Sequence, residues 1–147
     1  MMGFNSTKGF EYLPKTADVR FRAFGRDFKE LIKNSLLALI NAMVDSNKIK
    51  KRLKREVKIE AKTLDKLLIK FLEEILFLFD SENFIACDLK ETKIYFKDEK
   101  YILKAIVLGD NKIKDYDFSL IVKAVTYNEF IFKKEDNGYV AEITLDV

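Results

Sequence analysis

Two segments of this chain carry apolar residues at the spacing of one helical face, and nearly everything downstream of them alternates with the period of a strand. Phe28, Leu31, Ile32, Leu36, Leu39, Ile40 and Met43 recur at intervals of three and four, as do Leu64, Leu67, Leu68, Phe71, Leu72, Ile75 and Leu76. Side chains so spaced project from one side of an α-helix. Asp27 and Glu30 have the spacing of a capping box ahead of the first helix, and Thr63 can cap the second. Asp45, Ser46 and Asn47 close the first; Phe79 and Asp80 lie near the end of the second.

Phe10 to Phe24 reads as an extended opening strand, with Val19, Phe21 and Ala23 alternating against Arg20 and Arg22 until Gly25 breaks the pattern. Arg55 to Ala61 is a short strand between the helices. The second half is all strand. Ile85 to Phe96 and Tyr101 to Leu108 flank the charged turn Lys97, Asp98, Glu99, Lys100. Leu120 to Lys133 and Tyr139 to Val147 flank Asp136, Asn137 and Gly138, where Asn and Gly accept positive φ. The predicted fold is α+β: a two-layer sandwich with two main amphipathic helices on one mixed, mostly antiparallel sheet. With 147 residues, 48% of them apolar, and a single proline, the chain supports one domain over residues 1–147. Flexibility is expected only over residues 1–9.

Absences remove whole classes of chemistry. The chain has no histidine, which rules out Ser/His/Asp triads, Cys/His pairs and any metal site with an imidazole ligand. Its five glycines are too dispersed for a Walker loop or a dinucleotide fingerprint. Lys66, Lys70, Glu73 and Glu74 interrupt the greasiest stretch, so no run reaches the roughly 20 residues of a membrane span. Met1 to Gly9 lacks the basic start and apolar middle of a signal peptide, and a cytoplasmic location is expected. Cys87 has no disulfide partner and reads as a small buried strand residue.

Three segments together resemble the archease family. Phe10, Glu11, Tyr12, Leu13, Pro14, Lys15, Thr16, Ala17, Asp18 is similar to the family's opening motif. Leu67 through Asp80 is similar to its second helix. Val122, Lys123, Ala124, Val125, Thr126, Tyr127 and the ending Leu145, Asp146, Val147 are similar to its last two strands. The resemblance implies an accessory protein, not an enzyme: one that promotes guanylylation and multiple turnover of a GTP-dependent, RtcB-type RNA ligase in tRNA splicing, with tRNA and GTP as indirect partners. It also implies a cation held by Asp18, Asp146 and Val147, a functional role for Lys123, and a lesser acidic position at Asp45.

This chain departs from the family's wording in several places. Lys15 stands at a usual His, Asn128 replaces another, Leu120 and Ile121 replace a common Thr and Glu, and Gly109 to Ser119 lacks a His, Pro pair. The ammonium of Lys15, three residues before Asp18, is expected to offset carboxylate charge and weaken cation binding.

The proposed ligands are chemically coherent in their own right. Clustered carboxylates resist ionising together unless a cation screens them. An all-oxygen set favours Ca²⁺, then Mg²⁺ or Mn²⁺, over Zn²⁺ or Cu²⁺. The plainer reading has Asp18 accepting from turn amides, Asp146 solvated, Asp45 as a polar helix end, and Lys123 facing solvent with Ile121 and Val125. The basic run 48–55, with Lys48, Lys50, Lys51, Arg52, Lys54 and Arg55, suggests an RNA-binding chaperone or tRNA-modification cofactor, or else a solvated loop. A metal-dependent hydrolase would need a base such as Glu129 or Glu142.

Overall fold

The computed structural model describes residues 9–15 and 17–147. Residues 1–8, where most of the expected flexibility falls, and Thr16 of the opening motif lie outside the described residues; Gly9 is buried. In chain order the elements are β1 (Phe10–Leu13), β2 (Val19–Gly25), α1 (Phe28–Met43), a 3₁₀ turn (Ser46–Lys48), β3 (Leu53–Ala61), α2 (Leu64–Glu82), β4 (Ile85–Lys97), β5 (Lys100–Asp110), a second 3₁₀ turn (Ile113–Asp115), β6 (Ala124–Glu135) and β7 (Gly138–Asp146).

The α+β architecture has two helices against antiparallel β-structure. Its strands divide into two sheets, a separation that alternation alone does not reveal. One sheet has the order β1-β2-β7-β6 and the other β3-β5-β4, and every pairing is antiparallel. The helices straddle both: α1 packs on β1, β2, β7 and β4, and α2 on β3, β4, β5 and β6. Leu31, Leu36, Leu39, Leu67, Leu68 and Phe71 have no exposed surface. Each such side chain contributes about 1.5–3 kcal/mol relative to an exposed one. Among the described residues, no helix is long and apolar enough to cross a membrane.

Local chemistry sets the element ends. Asp27 caps α1 by accepting from the Glu30 N–H at 2.8 Å, while Glu30 reaches back to the Arg26 N–H at 2.7 Å, one residue before the position expected of a capping box. Thr63 occupies the cap position of α2 without a side-chain hydrogen bond, and Asn83, in the left-handed region at φ 56°, ends that helix. The opening segment, read as one strand from Phe10 to Phe24, is two. The chain turns after Leu13 and pairs back on itself, with Phe10 opposite Ala23 and Leu13 opposite Arg20. Pro14, which has no N–H to give a ladder, sits at the break.

The last hairpin also differs from the sequence reading at its start. β6 begins at Ala124, so Leu120 to Lys123 is a connecting segment. In it Val122 is fully buried and Lys123 is exposed. Val125, expected outside, is buried, because strand alternation begins only where pairing with β7 begins, at Ala124 opposite Asp146.

Candidate functional site

The final strand runs antiparallel to β2, with Leu145 opposite Val19. Asp146 and Asp18 are the next residues outward from that pair, and opposed residues of an antiparallel ladder share a face. Leu145 is fully buried, so this face is the outer one. On the other side of β7, Asp146 pairs with Ala124, and its carbonyl accepts the Lys123 N–H at 2.7 Å. The fold thus brings Asp18, Asp146, the Val147 terminus and the Lys123 backbone to one end of the four-stranded sheet. Among the described residues, neither Asp18 nor Asp146 has a hydrogen-bond or ion-pair partner on its side chain. Nor do the described residues contain a group of three acidic, Cys or His side chains placed to hold a metal ion. The oxygen groups at this end are the Asp18 and Asp146 carboxylates and the Val147 backbone. Oxygen donors without protein partners suit a hard cation.

Behind these residues, on the same outer face, lies a network of charged side chains. Arg20 is only 7% exposed. It donates to the Thr144 hydroxyl at 2.8 Å, to the Glu142 carboxylate at 3.0 Å and to the Glu129 carbonyl at 2.7 Å. Arg22 donates to the other Glu142 oxygen at 3.0 Å and lies 3.5 Å from Glu11. Burial alone would raise the Glu142 pKa, but the hydrogen bonds and charges of Arg22 and Arg20 outweigh it and hold the carboxyl below its usual range. A carboxylate pinned ionised between two guanidiniums is a poor general base, which argues against the hydrolase role for Glu142.

Glu129 sits in a bulge of β6 where the pairing jumps from Thr126–Thr144 to Ile131–Glu142. Its φ of 55° is unusual for a residue with a side chain. The Arg20 hydrogen bond holds the peptide there. The Glu129 carboxylate pairs with Lys15 at 3.1 Å. Lys15, expected to offset Asp18 and Asp146, is therefore engaged elsewhere.

The family-level comparison decides the kinship, since residues 10–147 match the model of the archease protein family. The chain belongs to the archease family. It is 32% identical over 141 residues to the archease of Methanosarcina acetivorans, covering 95% of this chain and 97% of that one. To the Pyrococcus furiosus archease it is 33% identical over 140 residues, covering 94% and 98%. The solution structure of protein 1598 from Methanobacterium thermoautotrophicum superposes with a TM-score of 0.82 at 31% identity, covering 95% of this chain and 99% of that one. A crystal structure from Thermotoga maritima, described as an archease and possible chaperone, shares the fold with a TM-score of 0.60 at 13% identity, over 93% and 96% of the two chains.

In this archease-family chain, Asp45 has a local task. It is exposed and caps the first 3₁₀ turn by accepting from the Asn47 N–H at 3.0 Å. Half of the basic run has carboxylate partners. Lys51 pairs with Asp88 at 2.9 Å, Arg52 with Asp110 at 3.2 Å and Asp115 at 3.5 Å, and Arg55 with Glu82 at 2.7 Å. Those carboxylates lie far away in sequence, so the run by itself gave no sign of them.

Asp110, which the sequence reading passed over, is a buried carboxylate with four donors among the described residues. Its side chain is 1% exposed and accepts from the Tyr116 hydroxyl, Arg52 and the N–H groups of Asn111 and Lys112. Burial would raise its pKa, yet the hydrogen bonds, Tyr116 first, and the Arg52 charge leave it below the usual carboxylate range. The Tyr116 hydroxyl in turn accepts from the Lys50 N–H at 3.0 Å. This clasp fixes the start of the segment that continues to Lys123. Phe118 packs its ring 5.5 Å from that of Phe79, and the Ser119 N–H donates to the Met43 carbonyl at 2.7 Å. Cys87 is buried in β4, and burial pushes its thiol up to about 11.

Proposed function

We propose that this chain is an accessory protein to a GTP-dependent RNA ligase, acting in the cytoplasm and not catalysing a reaction by itself. In this reading it promotes guanylylation of the ligase and sustains its turnover as RNA 3′-phosphate or 2′,3′-cyclic phosphate ends are joined to 5′-hydroxyl ends in tRNA splicing. Membership of the family supplies the context. The observation that carries the reading is the placement of Asp18 and Asp146, whose carboxylates have no partner among the described residues, just beyond the Val19–Leu145 pair at one end of the sheet, where the Lys123 backbone bonds to Asp146.

Asp18, Asp146 and the terminal oxygens of Val147 are the residues that would hold a cation, Ca²⁺ by preference. When bound, the ion would supply a fixed positive charge against the triphosphate of the ligase's nucleotide. Lys123 offers an ammonium to a phosphate or to acidic groups of the partner. Arg20 holds the neighbouring strands in register by bonding to Thr144 and to the β6 bulge.

Two measurements test the proposal separately. Ligation at limiting ligase is run with and without the chain; the turnover number is expected to rise with it, and an unchanged number removes the ligase role. Calorimetric titration of Ca²⁺ into chelator-treated protein is expected to show affinity falling by more than about tenfold in Asp18→Asn and Asp146→Asn. Equal affinities would remove the metal from the reading and leave the accessory role standing.

The alternative, an RNA chaperone or modification cofactor working through residues 48–55, draws less support. Lys51, Arg52 and Arg55 already have carboxylate partners.

A further inference from the structure

The outer face of the three-stranded sheet carries a row of like charges. Lys58 of β3 is directly opposite Lys104 of β5, and Lys104 is directly opposite Lys93 of β4. Neighbouring strands lie about 4.8 Å apart. The three ammonium-bearing stems therefore stand side by side across the whole sheet, and all three residues are exposed. Among the described residues none has a carboxylate within ion-pair distance. In the basic run 48–55, by contrast, Lys51, Arg52 and Arg55 have carboxylate partners. Like charges directly opposed on a sheet disfavour folding, so the row is a standing cost that an anionic ligand would relieve.

The row is one wall of a concavity whose lining also includes Glu56, Glu91 and Ile106. One step along the strands in the other direction, Tyr95 lies opposite Ile102. Its ring is 5.9 Å from the Lys104 ammonium, and the residue is 37% exposed. An exposed aromatic face beside unpaired lysines is the combination that holds single-stranded nucleic acid, bases stacking on the ring while ammonium groups meet phosphates. An acidic protein segment would use the lysines and have no use for the ring. Glu56 and Glu91 border the row on one side; on the other, the rung of Tyr95 also carries Glu60, whose carboxylate lies 3.4 Å from the Lys100 ammonium.

The geometry points to a binding face for single-stranded RNA on the three-stranded sheet, with Lys58, Lys93 and Lys104 neutralising phosphates and Tyr95 stacking a base. It stands on a different sheet from the carboxylate end and does not depend on the proposed ligase role.

The test is fluorescence anisotropy of a short labelled single-stranded RNA of mixed sequence, titrated with the full chain over a salt series. Single-strand binding loses about 0.7 log units of affinity per log unit of salt for each phosphate neutralised, so Lys58→Gln/Lys93→Gln/Lys104→Gln should lower the slope by about 2. Tyr95→Ala should weaken binding by roughly 5- to 100-fold with the slope unchanged. Because the triple variant removes like-charge opposition, it should melt no lower than wild type, which separates lost binding from lost folding. An unchanged slope in the triple variant overturns the inference. So does absence of saturable binding, a lowered melting temperature in the triple variant, or equal affinity for a glutamate peptide of the same charge.

Discussion

Replacing Asp110 by Asn keeps the shape of a buried side chain and removes its charge, so it probes the clasp directly. The carboxylate accepts from two backbone N–H groups, the Tyr116 hydroxyl and Arg52. In Asp110→Asn the amide oxygen can keep the two N–H groups, but the amide nitrogen then faces Arg52, donor to donor, and Tyr116 must turn its hydroxyl to accept. Losing one charge-assisted hydrogen bond and crowding two donors in a buried site costs about 2–3 kcal/mol. For a chain of this size that corresponds to a fall of about 4–12 °C in melting temperature.

The pH dependence carries a definite sign. The folded pKa of Asp110 is lowered, so the carboxylate's contribution is complete above its unfolded value near 4 and is lost as pH falls through the folded value. The gap between wild type and variant should therefore be widest at neutral pH and should close on acidification below about 4. Thermal unfolding by circular dichroism at a series of pH values reads both quantities. A variant melting within about 1 °C of wild type at neutral pH, or a gap that widens with acid, would refute the reasoning.

Three other perturbations test separate parts of the fold. Asp98 and Glu99, the two central residues of the β4–β5 turn, both adopt positive φ, at 54° and 62°; Asp98→Asn/Glu99→Gly supplies the pair such a turn prefers and should raise the melting temperature by about 2–4 °C. Gly138→Ala should destabilise by about 2–4 kcal/mol in urea, because an added Cβ would stand 2.2 Å from the Gly25 carbonyl oxygen at a φ of 145°; an unmoved midpoint would contradict this. Cys87, with its thiol raised to about 11, should react with a thiol reagent only slowly in the native chain at pH 8 and readily in urea, and fast native labelling would show the strand to be open.

Much of this fold is legible in the sequence because local pattern and tertiary packing agree. The two helical faces, the Asp27 cap and both hairpin turns follow from spacing and turn chemistry. The division into two sheets was not legible, since a strand's alternation says which face is buried and nothing about which neighbour it meets. Asp18 and Asp146 were picked out by family resemblance, and each is the residue next to the terminal β2–β7 pair, Val19 opposite Leu145. Alternation had already put Arg20 and Arg22 on the outer face, yet their partners Glu142 and Glu129 lie more than a hundred residues away. Asp110 was missed for the same reason: its donors include an arginine and a tyrosine from different loops. The partners of the basic run and the lysine row are likewise matters of register, which a single sequence does not carry.

Between β5 and β6 the chain crosses from one sheet to the other, and it is fastened along the way: at Asp110 by the clasp, at Ser119 by the Met43 carbonyl, and at Lys123 by Asp146. Tolerance to added length should therefore be uneven along this crossing. Extra residues after the exposed Asn111 would bulge into solvent ahead of Tyr116, whereas the same insertion between Leu120 and Val122 would slide Lys123 off its rung.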